Sequence, residues 1–95
     1  MIQLTDETFK EEIKEGLVVV DCYAPWCGKC KMLKPKLEEL SAKYKICMLD
    51  VDVCQKATAD LNISRVPTII VFDNGVESMR GDFNVLSTLE ASWKN

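Results

Sequence analysis

The segment from Leu17 to Tyr23 is hydrophobic at every position except one, which is occupied by Asp21. Side chains alternate between the two faces of a β-strand, so a strand that is hydrophobic at consecutive positions has to be covered on both faces. The chain has 95 residues, which is enough for one domain, and helices packed on both sides of a sheet would provide this cover. The segment therefore predicts the central strand of an α/β domain.

The remaining hydrophobic patterns supply further strands and helices. Four more strands are predicted, at Ile2–Leu4, Ile46–Val51, Ile69–Phe72 and Val76–Met79. Helices are predicted around Phe9 and Ile13, from Cys27 to Tyr44 with Pro35 inside, from Gln55 to Leu61, and from Val85 to Trp93, with Trp93 in the core. Alternating strands and helices favour parallel crossovers, whereas the turn sequence "DNG" at residues 73–75 is typical of a hairpin. We expect a single domain over residues 1–95, with a mixed sheet of about five strands, parallel with an antiparallel hairpin, flanked by about four helices.

The composition excludes several classes of protein. Acidic residues outnumber basic ones by 15 to 12, and the net charge of −3 argues against nucleic acid or an anionic membrane as a partner. The chain has no histidine, which removes Ser–His–Asp hydrolases, Cys–His proteases and most zinc hydrolases. No hydrophobic run approaches the roughly 20 residues of a membrane span, and the acidic start "MIQLTDETFKEE" is not typical of a signal peptide. An odd number of cysteines, five, with irregular spacing favours a reducing compartment, so we expect a cytoplasmic protein.

Two of these cysteines, Cys27 and Cys30, lie where the central strand leads into a helix. Residues three apart on a helix are about 5–6 Å apart, which is within the span of a disulfide. The free N–H groups and the partial positive charge of a helix N-terminus favour a thiolate over a thiol. We therefore expect Cys27, at the helix end, to be the more exposed cysteine and the attacking thiolate, and Cys30 to be the resolving thiol.

Asp21 precedes Cys27 by six residues, on the strand that leads into the helix. A buried carboxyl group at this place could accept the proton of Cys30, and burial would raise its pKa toward neutrality. The alternative is an ordinary acid at a strand end, either solvated or capping a neighbouring segment. The sequence leaves both interpretations open.

These residues together resemble a known family. The segment "VVVDCYAPWCGKCKMLKP" is similar to the active-site segment of thioredoxins, and the similarity continues through "LDVDVCQKATADLNISRVPTIIVFDNG" to the last helix. The resemblance implies the thioredoxin fold and a monomeric dithiol–disulfide oxidoreductase without a tightly bound cofactor or metal. Its implied substrates are protein disulfides, and a thioredoxin reductase or another electron donor would return it to the dithiol form.

The same resemblance implies the residues that contact a substrate. Pro67 should be a cis-proline that faces the active cysteines, and Val66 should offer its backbone groups to an extended substrate peptide. Trp26 would shield the disulfide, with Gly28 and Lys29 beside it on the contact surface. Gly81 would line a shallow apolar groove together with Val66.

Several positions depart from the family pattern, among them Met48 and Lys29. Met48 lies where many bacterial members have a lysine paired with the buried acid, and Lys29 replaces a typical proline. A cation near a partly exposed thiolate stabilises the reduced form, which raises the reduction potential by about 20–30 mV. We therefore predict a potential of roughly −270 to −230 mV, slightly above that of an ordinary thioredoxin.

Several alternatives stay open at this level. One is an oxidase or isomerase of the protein disulfide isomerase type, and another is a non-enzymatic, redox-dependent binding subunit of a second protein. Use of glutathione, as in glutaredoxins, and half of a zinc site are less favoured. The lysines near the active cysteines form either a solvated helix face or a surface that favours acidic substrates. Cys22 and Cys47 are expected to be small buried hydrophobic residues, whereas Cys54 is either an inert thiol or the site of a regulatory or intermolecular disulfide.

Overall fold

A five-stranded mixed sheet runs through the molecule, with helices on both of its faces. The computed structural model describes residues 1–94, without the side chains of the last two of these. The strands are β1 (Ile2–Gln3), β2 (Leu17–Tyr23), β3 (Lys45–Asp50), β4 (Thr68–Asp73) and β5 (Val76–Gly81). The helices are α1 (Phe9–Ile13), α2 (Gly28–Leu40), α3 (Gln55–Asp60) and α4 (Phe83–Lys94). The order of elements along the chain is the predicted one.

The strand β2 lies in the middle of the sheet, whose order is β1-β3-β2-β4-β5. It pairs parallel with β3 on one side and antiparallel with β4 on the other. Every residue from Val18 to Cys22 is buried. The hydrophobic run thus forms the covered central strand that the sequence predicts.

Alternate residues of the sheet contribute to two separate cores. One core lies under α1 and α3 and includes Leu4, Phe9, Ile13, Val18, Val20, Leu49, Ala57, Ile70 and Phe72. The other lies under α2 and α4 and includes Val19, Leu33, Leu37, Leu40, Ile46, Ile69, Val71, Val85, Leu86 and Leu89. Because side chains two apart on a strand share a face, Asp21 lies on the same side as Val19, under the helix that follows the cysteines.

The helix α2 begins after Cys27 and passes through Pro35 without ending there. It ends at Leu40, four residues before the predicted end at Tyr44, so that boundary was wrong. The N–H groups of Lys43 and Tyr44 both donate to the carbonyl oxygen of Leu40, at 2.9 Å each, which closes the chain into a turn. Tyr44 then packs against the second core, and its hydroxyl group donates to the carbonyl oxygen of Leu89 at 3.0 Å.

The hairpin between β4 and β5 turns at Asn74 and Gly75, which have φ angles of 51° and 83°. Positive φ at both central residues is what a tight two-residue hairpin turn requires, and Asn-Gly supplies it at low cost. The strand β5 continues to Gly81, two residues beyond the predicted end at Met79, because Gly81 still pairs with Ile69. The predicted core contact of Trp93, and Asn95 at the end of the predicted domain, lie outside the described part of the chain. Among residues 1–94, no helix is long and apolar enough to cross a bilayer.

Candidate active site

Cys27 and Cys30 are joined by a disulfide at the start of α2, with their Cα atoms 5.3 Å apart. Cys27 is the N-cap residue, in an extended conformation, and Cys30 lies in the first helical turn. The backbone N–H of Cys30 donates to the Sγ atom of Cys27 at 3.2 Å. When the disulfide is reduced, this N–H and the helix N-terminus are placed to stabilise a thiolate on Cys27.

The two cysteines are almost equally buried, at 7% exposure for Cys27 and 6% for Cys30. The expected difference in exposure is therefore absent, and what distinguishes Cys27 is its N-cap position. Gly28 and Lys29 are exposed between them. Trp26 is 71% exposed, and its Nε1–H donates to Oδ2 of Asp52 at 3.0 Å, which holds the indole beside the disulfide as part of the outer surface.

Asp21 is buried, with 1% of its surface exposed. Its Oδ1 atom has no hydrogen-bond partner among residues 1–94, and burial raises the pKa of the carboxyl group to about 7. Asp21 and Cys30 line the same cavity of about 510 Å³, together with Met48 and the exposed Lys31 and Lys34. A carboxyl group that changes protonation near neutral pH thus shares a cavity with one active-site cysteine, and the cavity is large enough to hold water.

The peptide bond between Val66 and Pro67 is cis, as the resemblance implied. Val66 packs against a small buried cluster that contains Ala24 and both active-site cysteines. Neither the N–H nor the C=O of Val66 is hydrogen-bonded to any other residue within 1–94. A residue with both backbone polar groups free, packed against the cluster that contains the disulfide, is suited to pair with a single residue of another chain.

The comparisons with known proteins agree with this geometry. The thioredoxin family profile matches residues 1–92. The thioredoxin of Bacillus subtilis is 40% identical over 79 residues, which is 79% of this chain and 76% of that protein. The thioredoxin of Staphylococcus haemolyticus is 42% identical over the same shares, and that of Staphylococcus aureus strain N315 is 40% identical.

The chain belongs to the thioredoxin family. Its mixed sheet with helices on both faces is the thioredoxin fold, and its activity is that of a thiol–disulfide oxidoreductase, an enzyme that reduces disulfides. The thioredoxin family further implies disulfides of proteins as substrates and a reductase as a partner.

Val66 and Gly81 line two different depressions on the surface of this thioredoxin-family protein. Val66 lines a small, mostly apolar depression of about 160 Å³ with Trp26. Gly81 lines a neighbouring, polar depression of about 480 Å³ at the end of β5, and Ser64 and Arg65 line both depressions. A Cβ atom at Gly81 would lie 2.6 Å from Oδ1 of Asn84, so the close approach of α4 explains the glycine.

The other three cysteines are free thiols without access to solvent. Cys22 and Cys47 are fully buried in strands, as expected, and burial raises the pKa of each thiol. Cys54 is also fully buried, its Sγ donates to the carbonyl oxygen of Leu4 at 3.4 Å, and burial raises its pKa. In this structure Cys54 is not accessible to a thiol of a second chain. Within residues 1–94, no three His, Cys, Asp or Glu side chains are grouped so that they could hold a metal ion.

Sequence reasoning missed Asp52, the partner of the Trp26 indole. A signal for it existed, because β2 and β3 are parallel neighbours and the segments that follow them leave the same edge of the sheet. Trp26 follows β2 and Asp52 follows β3, so an acid after the second strand was placed to meet the indole.

Proposed function

We propose that this protein reduces disulfides of other proteins, with Cys27 as the attacking thiolate and Cys30 as the resolving thiol. The observation that carries the assignment of roles is the hydrogen bond from the Cys30 N–H to Sγ of Cys27 at the helix N-terminus. Cys27 attacks one sulfur of the substrate disulfide, forms a mixed disulfide and releases the other sulfur as a thiolate. Cys30 then attacks Cys27, which forms the Cys27–Cys30 disulfide and releases the second substrate thiolate. Two electrons pass from the dithiol to the substrate.

Asp21 accepts the proton of Cys30 in the second step. A pKa of about 7 allows this carboxyl group to be ionised in a large share of molecules at neutral pH and to take up a proton readily. The cavity that it shares with Cys30 supports a transfer through water. Met48, which lines the same cavity, offers no charge that would keep the carboxyl group ionised.

The substrate segment is held in an extended conformation at Val66, whose free N–H and C=O support one rung of strand pairing. Pro67 follows Val66 through the cis peptide bond, and Trp26, Gly28 and Lys29 form the exposed surface around the disulfide. Such pairing recognises the backbone groups of the substrate and not its side chains. This mode of recognition suits an enzyme with many protein substrates.

After each cycle a separate electron donor, a thioredoxin reductase in the simplest case, reduces the Cys27–Cys30 disulfide. We propose that the protein works as a monomer without a tightly bound cofactor, in the cytoplasm. The burial of Cys22, Cys47 and Cys54 supports this location, because none of them forms a disulfide within residues 1–94.

The experiment that tests the assignment is turnover of insulin, a protein with disulfides, by wild type and by Cys30→Ser. The variant is expected to stop after the first step and to accumulate a mixed disulfide with insulin, which dithiothreitol reduces. Cys27→Ser is expected to form no such complex. Cys54→Ser, which removes a buried thiol elsewhere, is the matched control and should turn over. A complex formed by Cys27→Ser but not by Cys30→Ser would reverse the roles.

A further inference from the structure

The polar depression at the end of β5 contains two arginines close to the substrate-docking segment. It is lined by Asn62, Ser64, Arg65, Thr68, Arg80 and Gly81, so no acidic residue lines it. Ser64 and Arg65 also line the apolar depression beside Trp26 and Val66. The two depressions are therefore neighbours with a common wall, and together they continue the docking surface away from the disulfide.

The charges of this depression are arranged for an anion. Arg65 is exposed and makes no ion pair with any acidic residue in the described chain. Arg80 is fixed in place, because its Nε and Nη2 donate to the carboxylate of Glu77 at 2.8 and 2.7 Å, and Nη2 also donates to the carbonyl oxygen of Leu61 at 2.8 Å. Glu77 balances the charge of Arg80, so the net positive charge comes from Arg65.

We propose that this depression binds the carboxylate of an acidic side chain in the substrate protein, a few residues from the cysteine that Cys27 attacks. This inference rests on the proposed function and names a preferred class of substrate for it. Arg65 supplies the charge and a planar pair of donors that matches a carboxylate, while the fixed Arg80 and Ser64 line the same depression. The apolar depression next to it takes the side chain of an intervening residue.

The occupant is a protein side chain because the depression adjoins the backbone of Val66, where the substrate chain is held. An extended chain advances about 3.3 Å per residue, so a residue only a few positions from the attacked cysteine can reach the neighbouring depression. A carboxylate fits the open donors of Arg65, whereas a lysine of the substrate would be repelled.

The test uses a set of short peptides, each with one cysteine in a disulfide with a small thiol. Each peptide carries a single glutamate at one of the positions within about four residues of that cysteine. Each has a partner peptide with glutamine at the same position. The readout is the ratio of kcat/KM for the glutamate peptide to that for the glutamine peptide. We expect wild type to show a ratio of about two to five at one or two adjacent positions and near one elsewhere, within the range for an exposed charge pair.

Arg65→Gln is expected to bring this ratio to about one, and Arg65→Glu to below one. Lys43→Gln removes an equal, exposed charge in the turn after α2 and is the matched control, which should keep the wild-type ratio. A ratio near one at all positions in wild type would overturn the proposal. A preference for glutamate that persists in Arg65→Gln would also overturn it. The same holds if the preference is lost in the double variant Lys31→Gln, Lys34→Gln and not in Arg65→Gln. Turnover of the glutamine peptides by wild type tests the proposed function separately, because that turnover does not require the acidic side chain.

Discussion

Asp21 on β2 and Met48 on β3 are register partners across two parallel strands, and both line the cavity that reaches Cys30. The buried carboxyl group therefore shares its cavity with a thioether on the neighbouring strand, and the only cause that raises its pKa to about 7 is loss of hydration. This pairing places a weak acid that changes protonation near neutral pH next to the active-site disulfide. Because a buried carboxylate loses hydration, ionisation of Asp21 also lowers the free energy of unfolding.

The first prediction concerns stability as a function of pH. In the unfolded chain the Asp21 carboxyl group ionises near its ordinary pKa of 3.8, but in the folded protein only near 7. Between these values the folded state binds more protons at Asp21, so the contribution of Asp21 to the free energy of unfolding falls as pH rises from about 4 to 7 and changes little above 8. A difference of about three pKa units corresponds to up to about 4 kcal/mol at pH 8. Asp21→Asn should therefore stabilise the oxidised protein at pH 8 much more than at pH 4.5, as measured by urea unfolding.

The matched control is Asp60→Asn, which removes an exposed carboxyl group on α3. An equal gain at both pH values for Asp21→Asn would contradict the prediction, since a pH-independent gain would come from packing and not from ionisation.

The second prediction concerns the residue across from the acid. Met48→Lys should lower the pKa of Asp21 by one unit or more, roughly the effect of one nearby cation on a buried carboxylate. The carboxyl chemical shift of Asp21, followed by carbon NMR over pH 4 to 9, measures this directly. Met48→Leu keeps a hydrophobic side chain of similar volume and should leave the pKa near 7. A folded lysine variant with an unchanged pKa would show that position 48 does not act on the acid.

The third prediction concerns the reduction potential. Lys29 is exposed between the two cysteines, where a positive charge stabilises the Cys27 thiolate and thereby the reduced protein. Lys29→Gln should lower the potential by about 20–30 mV from a wild-type value of roughly −270 to −230 mV, as measured in a glutathione buffer. Lys43→Gln, remote from the disulfide, should leave it unchanged. A wild-type value at or above about −200 mV would favour the oxidase or isomerase interpretation instead.

The fourth prediction concerns Gly81. A Cβ atom there would lie 2.6 Å from Oδ1 of Asn84, the atom that accepts the N–H of Asp82 at the start of α4, and 3.0 Å from Cγ2 of Val85. Gly81→Ala should displace the Asn84 side chain and lower the free energy of unfolding by about 1 kcal/mol, the typical value of a lost helix-end hydrogen bond. Gly28 has no atom within 4 Å of an added Cβ, so Gly28→Ala should cause no loss of stability. Equal effects of the two substitutions in chemical unfolding would argue against the steric cause.

Much of the fold could be predicted from local patterns. The hydrophobic run of β2, the helical spacing of Leu33, Leu37 and Leu40, and the Asn-Gly turn each depend on neighbours within about one turn or one hairpin. The placement of the cysteine pair at a strand-to-helix junction is of the same kind, and the structure has Cys27 as the N-cap of α2. The cis bond before Pro67 followed from the family resemblance alone, because no local pattern distinguishes it.

The boundaries and the partners could not be predicted in this way. The helix α2 ends at Leu40, and Tyr44 packs against the second core and bonds to Leu89 of α4. The burial of the cysteines depends in part on Val66, which reaches them from a distant segment. The indole of Trp26 donates to Asp52, and Arg65 lines the same depression as Arg80. Both arrangements bring together residues that are far apart in the chain.

The amino-acid sequence alone thus determined the order of strands and helices, the covered central strand and the position of the reactive sulfurs, because these follow from periodicity and from the chemistry of adjacent residues. Only the tertiary structure decided what surrounds Asp21 and where Arg65 lies relative to Val66. Such neighbours are set by the order and register of the strands, and a linear pattern does not contain the distances that a folded sheet creates.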